Sequence, residues 1–216
     1  MQRLFEIGYD AAMLRRRFTV ALGLALLAAA AGLAQDTFQV ETERLAKLLD
    51  WKAGSAIADI GAGDGEITQL LSDRVGPTGH VYSTEIEDAK LDRLEELTAD
   101  RRNVNVFKGA SDVSNLPAAC CDSILVRRVY HHFPEPAKMN RSFLDALRPG
   151  GTLAIIDFDD REGIPEIRED VPKNRGRHGI ARSIIIEELT AAGFEQGSHP
   201  TDWYNGDYCL IFRKPK

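Results

Sequence analysis

From about residue 36 onward, short apolar runs alternate with stretches of helical spacing, and the first run ends in three glycines within five residues, Gly61, Gly63 and Gly65. Leu45, Leu48 and Leu49 mark a helical face that ends near Asp50. Ala56-Ile57-Ala58-Asp59-Ile60 reads as a buried strand, because so short an apolar run stopped by glycines does not make a helix. Glu66 to Val75 places Ile67, Leu70 and Leu71 at helical spacing and closes at Gly76-Pro77. His80 to Thr84 is the second strand, Asp88 to Leu97 a helix with Leu91, Leu94 and Leu97 on one face, and Val104 to Phe107 the third strand. Asp122 to Val126 is the fourth strand. Ala137 to Leu147 is a helix stopped by Arg148-Pro149-Gly150-Gly151, and Thr152 to Asp157 is the fifth strand.

Strands separated by helices pair in parallel through right-handed crossovers, so the pattern predicts a doubly wound, mostly parallel α/β sheet of Rossmann-like type. The last part breaks the rhythm. A helix over residues 183–192 stops at Gly193, and a weak strand near 195–199 followed by Tyr208 to Arg213 reads as an antiparallel edge hairpin, for seven strands in all.

Open α/β sheets bind ligands beyond the carboxyl ends of their strands, where the winding reverses. The candidate is therefore the first strand-to-helix turn, Asp59-Ile60-Gly61-Ala62-Gly63-Asp64-Gly65, whose glycines let backbone approach a ligand without Cβ obstruction. A dinucleotide fingerprint requires a glycine three residues after Gly63, and Glu66 stands there instead. A carboxylate at the start of the helix opposes a pyrophosphate that seeks the positive helix end. The loop suits a ligand with positive charge and no phosphate.

Beyond the loop, an acid follows the second strand at Glu85, Asp112 precedes Leu116-Pro117 by four residues, and Leu147-Arg148-Pro149-Gly150-Gly151 leads into the fifth strand. In these features the chain, from about residue 40 to its C-terminus, resembles the class I S-adenosylmethionine-dependent methyltransferases of the small-molecule type. The resemblance implies that Asp59, Gly61, Ala62, Gly63 and Gly65 form the cofactor loop. It implies that Glu85 accepts the ribose hydroxyls, and that Asp112 meets the adenine amino group with Val113 beside the ring. It further implies transfer of the cofactor's methyl group to a small-molecule nucleophile by in-line displacement. Two competing readings are a domain that binds the cofactor without turnover and a nicotinamide-dependent oxidoreductase. Glu66 and the missing Tyr-x-x-x-Lys weigh against the second.

In-line transfer asks a protein for alignment and for removal of the acceptor's proton. The residues after the fourth strand, Arg127 to His132, lie next to the first strand in this winding and face the methyl group. His131 or His132 is the candidate base, because histidine titrates near neutrality, and Asp157 and Asp159 are second candidates. Arg127 either holds a cofactor oxygen or a substrate carboxylate, or forms a surface ion pair. The connection from Arg161 to Arg182 is basic in its second half, with Lys173, Arg175, Arg177, His178 and Arg182. It reads either as a solvated loop or as the reader of an anionic acceptor. No Asn/Asp-Pro-Pro-aromatic tetrad follows the fourth strand, so amino-methylation of DNA is not indicated, and a formal charge of −6 disfavours nucleic acid as a partner. The three cysteines supply neither a disulfide scaffold nor a zinc site, and no metal is expected.

Residues 1–34 differ from all that follows. Arg15-Arg16-Arg17 precede an uncharged stretch from Phe18 to Ala34 built almost wholly of Ala, Leu and Gly, ending in Gly32-Leu33-Ala34. This is the layout of a signal peptide cleaved after Ala34, or, second, of an uncleaved anchor that would bring residues 15–34 into contact with a membrane. The arginines also match the twin-arginine pattern, while Glu6 and Asp10 sit badly in a mitochondrial presequence. Residues 35–216 are then the methyltransferase domain, exported to the periplasm, with membrane-anchored and cytoplasmic placements as alternatives. S-adenosylmethionine is made in the cytoplasm, so export requires that the enzyme leave loaded, stay anchored or receive cofactor another way.

Overall fold

A computed structural model describes residues 37–159 and 179–216. Residues 39–216 form one compact unit, and the architecture below is that of this unit together with the helix that leads into it. Helix α1 covers residues 37–48. There follow β1 (Ala56–Ile60), α2 (Glu66–Val75), β2 (His80–Glu85), α3 (Asp88–Thr98), β3 (Val104–Lys108), β4 (Cys121–Arg127), α4 (Pro136–Ala146), β5 (Leu147–Asp157), α5 (Arg182–Ala191), β6 (Glu195–Gln196) and β7 (Tyr208–Arg213).

The strands form one seven-stranded sheet in the order β3-β2-β1-β4-β5-β7-β6. β1 to β5 are parallel, and β7 runs antiparallel to both β5 and β6. The chain winds outward from β1 through β2 to β3, then returns to β4 on the other side of β1. The winding therefore reverses between β1 and β4. All five residues of β1 are buried, as a central parallel strand with both faces covered requires. The main apolar cluster packs Ile124, Leu153, Ile155 and Leu210 of the sheet against Met139 and Phe143 of α4 and Ile185 and Leu189 of α5.

Three local expectations are corrected. Leu48 is exposed, because α1 turns Leu45 and Ala46 inward instead. Arg148-Pro149-Gly150-Gly151 does more than stop α4: β5 already begins at Leu147, opposite Cys121, and the register shifts before Thr152 meets Ser123. Gly150 takes φ 76°, a conformation that suits glycine, and carries the chain through this irregularity. β6 is confined to two residues. Beyond it the chain still follows β7 through a Gly197 N–H to Ile211 carbonyl bond, but Pro200 has no N–H to extend the ladder.

Cys120 and Cys121 are joined as a disulfide between sequence neighbours, a pairing the sequence reading did not anticipate. Cys209 is buried, and burial pushes its thiol up to about 12, which marks a core residue and not a nucleophile. Among the described residues, no helix is long and apolar enough to cross a membrane.

Candidate functional site

A cavity of about 460 Å³ opens at the carboxyl ends of β1, β2 and β4, where the winding reverses. This volume lies in the range of small-molecule sites. β1 delivers the glycine loop to it, and the three glycines serve three different neighbours. A Cβ on Gly61 would stand 2.6 Å from Cγ2 of Val129, so Gly61 is required for the β1–β4 loops to close on each other. A Cβ on Gly65 would strike Leu94 and Leu97 at 2.8 and 2.9 Å, so that glycine serves the packing of α2 on α3. Gly63 differs from both. It lines the cavity at φ 58°, and a Cβ there would meet nothing within 4 Å. It is the glycine that leaves room for a ligand.

Asp59, which is buried, and Ala62 do not line the cavity. Ala62 donates its N–H to the Thr84 carbonyl at 2.9 Å. Asp59 accepts a hydrogen bond from Thr68 Oγ1 at 2.7 Å, and Thr68 also meets Ser83 Oγ at 2.6 Å. Burial pushes the Asp59 carboxyl up to about 6, against the opposing Thr68 bond and the Arg127 charge. A folded pKa raised above the ordinary carboxylate value means that the folded state holds this proton more tightly, so its stability falls as pH rises from about 4 to 6. Asp59→Asn carries no such titration. The unfolding free energy of the variant is expected to gain on that of the wild type across this window by about 2–3 kcal/mol, measured by denaturant titration at each pH. Curves that run parallel from pH 4 to 7 would show that Asp59 titrates normally.

At the end of β2, Glu85 lines the cavity and is otherwise nearly buried. Its Oε2 accepts the Gly63 N–H at 2.9 Å, and its Oε1 accepts the N–H groups of Ile86 at 2.7 Å and Glu87 at 3.1 Å. A carboxylate offers about four acceptor positions, so these three bonds leave it room for one strong bond to a ligand where two were expected. After β3, Ser111 and Val113 line the cavity, but Asp112 does not. Its carboxylate lies 3.6 Å from Lys138 Nζ on α4.

β4 supplies the opposite wall. Arg127 lines the cavity and donates from Nε to Glu41 of α1 at 2.6 Å. Arg128 adopts φ 55°, unusual for a side chain with a Cβ, and donates from Nε and Nη2 to Asp207 at 2.7 and 3.0 Å. That turn of the backbone sets Val129 over Gly61 and starts a 3-10 turn, Tyr130–His132. Here the two histidines part. His132 lines the cavity, whereas His131 is buried with Nδ1 2.8 Å from Asp157 Oδ1. The two imidazole rings lie 4.0 Å apart, centre to centre.

Asp157 is therefore corrected as a base candidate. It is fully buried, and its oxygens accept the backbone N–H groups of His131 and Phe158 besides the His131 ring contact. Asp159 lies 3.4 Å from Arg182. Lys173, Arg175, Arg177 and His178, and with them the basic half of the connection, fall outside the described residues. Ile86 and Lys90 are among the cavity residues that sequence reasoning passed over. Ile86 carried a legible signal, an apolar residue between the strand-end acid and a charged helix start.

A family model described as a methyltransferase domain matches residues 52–205. The chain is 34% identical over 163 residues to 27-O-demethylrifamycin SV methyltransferase of Amycolatopsis mediterranei, covering 74% of this chain and 59% of that protein. It is 29% identical over 111 residues to a ubiquinone/menaquinone biosynthesis C-methyltransferase of Pseudomonas fluorescens, covering 50% of this chain and 43% of that one. The chain thus spans about half the length of these relatives. Among solved structures, a SAM-dependent methyltransferase from Aquifex aeolicus superposes with a TM-score of 0.67 at 24% identity, covering 81% of this chain and 89% of the other, and shares the fold.

Proposed function

The chain belongs to the methyltransferase-domain family, and from that premise we propose that it binds S-adenosyl-L-methionine and transfers the methyl group to a small-molecule nucleophile. The observation that carries the reading is the placement of Gly63 and Glu85. A cradle that a Cβ would fill stands beside a carboxylate with one acceptor position to offer. A nucleoside ligand that donates a ribose hydroxyl fits that pair. A pyrophosphate is disfavoured, since Glu66 in the first turn of α2 sets a negative charge at the helix end that would otherwise attract it.

When bound, the cofactor supplies an electrophilic methyl on a sulfonium. Gly61 and Gly63 give it backbone to lie against, Glu85 holds the ribose, and Ile86 and Val113 offer apolar surface to the base. His132 is the group placed to take the acceptor's proton, because it lines the cavity wall made by β4. His131 and Asp157 act from behind, as a buried pair against which the His132 ring rests. Alignment of acceptor, methyl and sulfur then supplies the rest of the rate.

Both relatives named above act on small molecules by their names, which supports an acceptor of that class. An anionic acceptor rests on the basic stretch near residues 173–182. Among the described residues, the cations that line the cavity, Arg127, Arg128 and Lys90, are paired with Glu41, Asp207 and Glu87. Screening acceptors by the S-adenosylhomocysteine they release is the direct test of turnover. Glu85→Ala is expected to weaken S-adenosylhomocysteine at least about tenfold, because it removes a charged hydrogen bond worth roughly 1.5–3 kcal/mol and unties Gly63. Unchanged affinity would remove Glu85 from the site.

Export through residues 15–34 is part of the proposal and lies outside the described residues. Sequencing the N-terminus of the mature protein is expected to return Gln35. An intact Met1 would leave the anchored or cytoplasmic placement.

A further inference from the structure

We propose that Glu41 is a positioning residue, which fixes Arg127 so that its guanidinium receives the carboxylate at the amino-acid end of the cofactor. The inference rests on the cofactor assignment above and extends it to Glu41, which precedes the matched residues 52–205. A ligand whose ribose is held at the end of β2 and whose middle crosses the β1 loop reaches, at its far end, the end of β4. There stands Arg127, beside the same cavity that Gly61 and Gly63 line. A planar guanidinium fork matches a carboxylate in charge and shape.

Glu41 holds the stem side of the fork. Nε lies on the stem side of the guanidinium, so a bond from it at 2.6 Å fixes the plane of the whole group relative to the cavity. Glu41 cannot swing away, for it is only 1% exposed and its second oxygen accepts Trp203 Nε1 at 2.7 Å. Trp203 is held in turn, with the Arg44 guanidinium 4.7 Å from its ring centre and Arg44 paired to Asp202 at 2.8 Å. Helix α1 and the segment before β7 therefore converge on one cavity side chain. A surface ion pair has no need of so complete an enclosure, since exposed pairs contribute little.

The test compares two ligands that share the nucleoside thioether and differ in the amino-acid part, S-adenosylhomocysteine and 5′-methylthioadenosine, titrated calorimetrically into the full chain. Arg127→Gln retains an N–H for Glu41 and loses the charge. It is expected to lower the ratio of S-adenosylhomocysteine to methylthioadenosine affinity by about tenfold to a hundredfold. Glu41→Gln should lower the ratio by about fivefold, and Trp203→Phe, which removes the N–H brace and keeps an aromatic ring, by about twofold, with methylthioadenosine unchanged in all three. Equal weakening of both ligands in Glu41→Gln would show a merely structural role and overturn the proposal. An unchanged ratio in Arg127→Gln would overturn it while leaving the cofactor assignment intact. Failure of the wild type to bind either ligand would overturn both.

Discussion

Replacing His132 with alanine is expected to lower kcat by about 10²–10⁴ on a verified acceptor while S-adenosylhomocysteine affinity stays within about twofold of wild type. His132 is the histidine that borders the cavity, and it belongs to the 3-10 turn that the left-handed Arg128 begins. His131→Ala predicts a different signature: it takes the ring partner from the fully buried Asp157 carboxylate, which keeps its two backbone N–H groups, and a lost hydrogen bond to a charged group costs roughly 1.5–3 kcal/mol, so stability falls first. If the folded His131 variant loses turnover and the His132 variant keeps it, the Asp157-oriented imidazole is the base. If both keep full activity, no protein base is needed and alignment alone suffices.

Gly63→Val is expected to abolish S-adenosylhomocysteine binding, a loss of more than about a hundredfold, in a protein that still unfolds cooperatively. The isopropyl group would project into the open space where a Cβ meets nothing within 4 Å, so it displaces ligand and not protein. Its φ of 58° adds local strain of about 1–2 kcal/mol, which a domain of ordinary stability tolerates. Gly65→Val is the control. It drives into Leu94 and Leu97 and should lower the melting temperature by several degrees, with any folded fraction still binding. Binding by the Gly63 variant at wild-type affinity would place the ligand elsewhere.

The alternation of strand and helix was legible because parallel strands covered on both faces must be apolar throughout, as in Ala56–Ile60, and because the connections are short. The glycine loop was legible as a unit but not in its division of labour. Which glycine faces Leu94, which faces Val129 and which faces open space depends on side chains brought in by α3 and by the turn after β4. Likewise Asp59, Glu85 and Asp112 are three acids of similar appearance in sequence. Burial beneath Thr68, capture of three backbone N–H groups and proximity to Lys138 separate them only once the sheet is formed. The pairing of Asp157 with His131 links the ends of adjacent strands, and Glu41 meets Arg127 across 86 residues of chain. No local periodicity reports such contacts. The bulge that opens β5 was hidden for another reason: Pro149-Gly150-Gly151 reads as a stop, and only its pairing with β4 makes it part of a strand.

A cavity at the reversal of winding that is built for a phosphate-free nucleoside cofactor should take such a ligand and refuse a dinucleotide. Calorimetric titration of the protein with S-adenosylhomocysteine and, separately, with NAD tests it most directly. S-adenosylhomocysteine is expected to bind saturably at one site per chain and NAD to give no heat, since Gly63 leaves room for the first while Glu66 opposes the pyrophosphate of the second. Saturable binding of NAD with none of S-adenosylhomocysteine would contradict it.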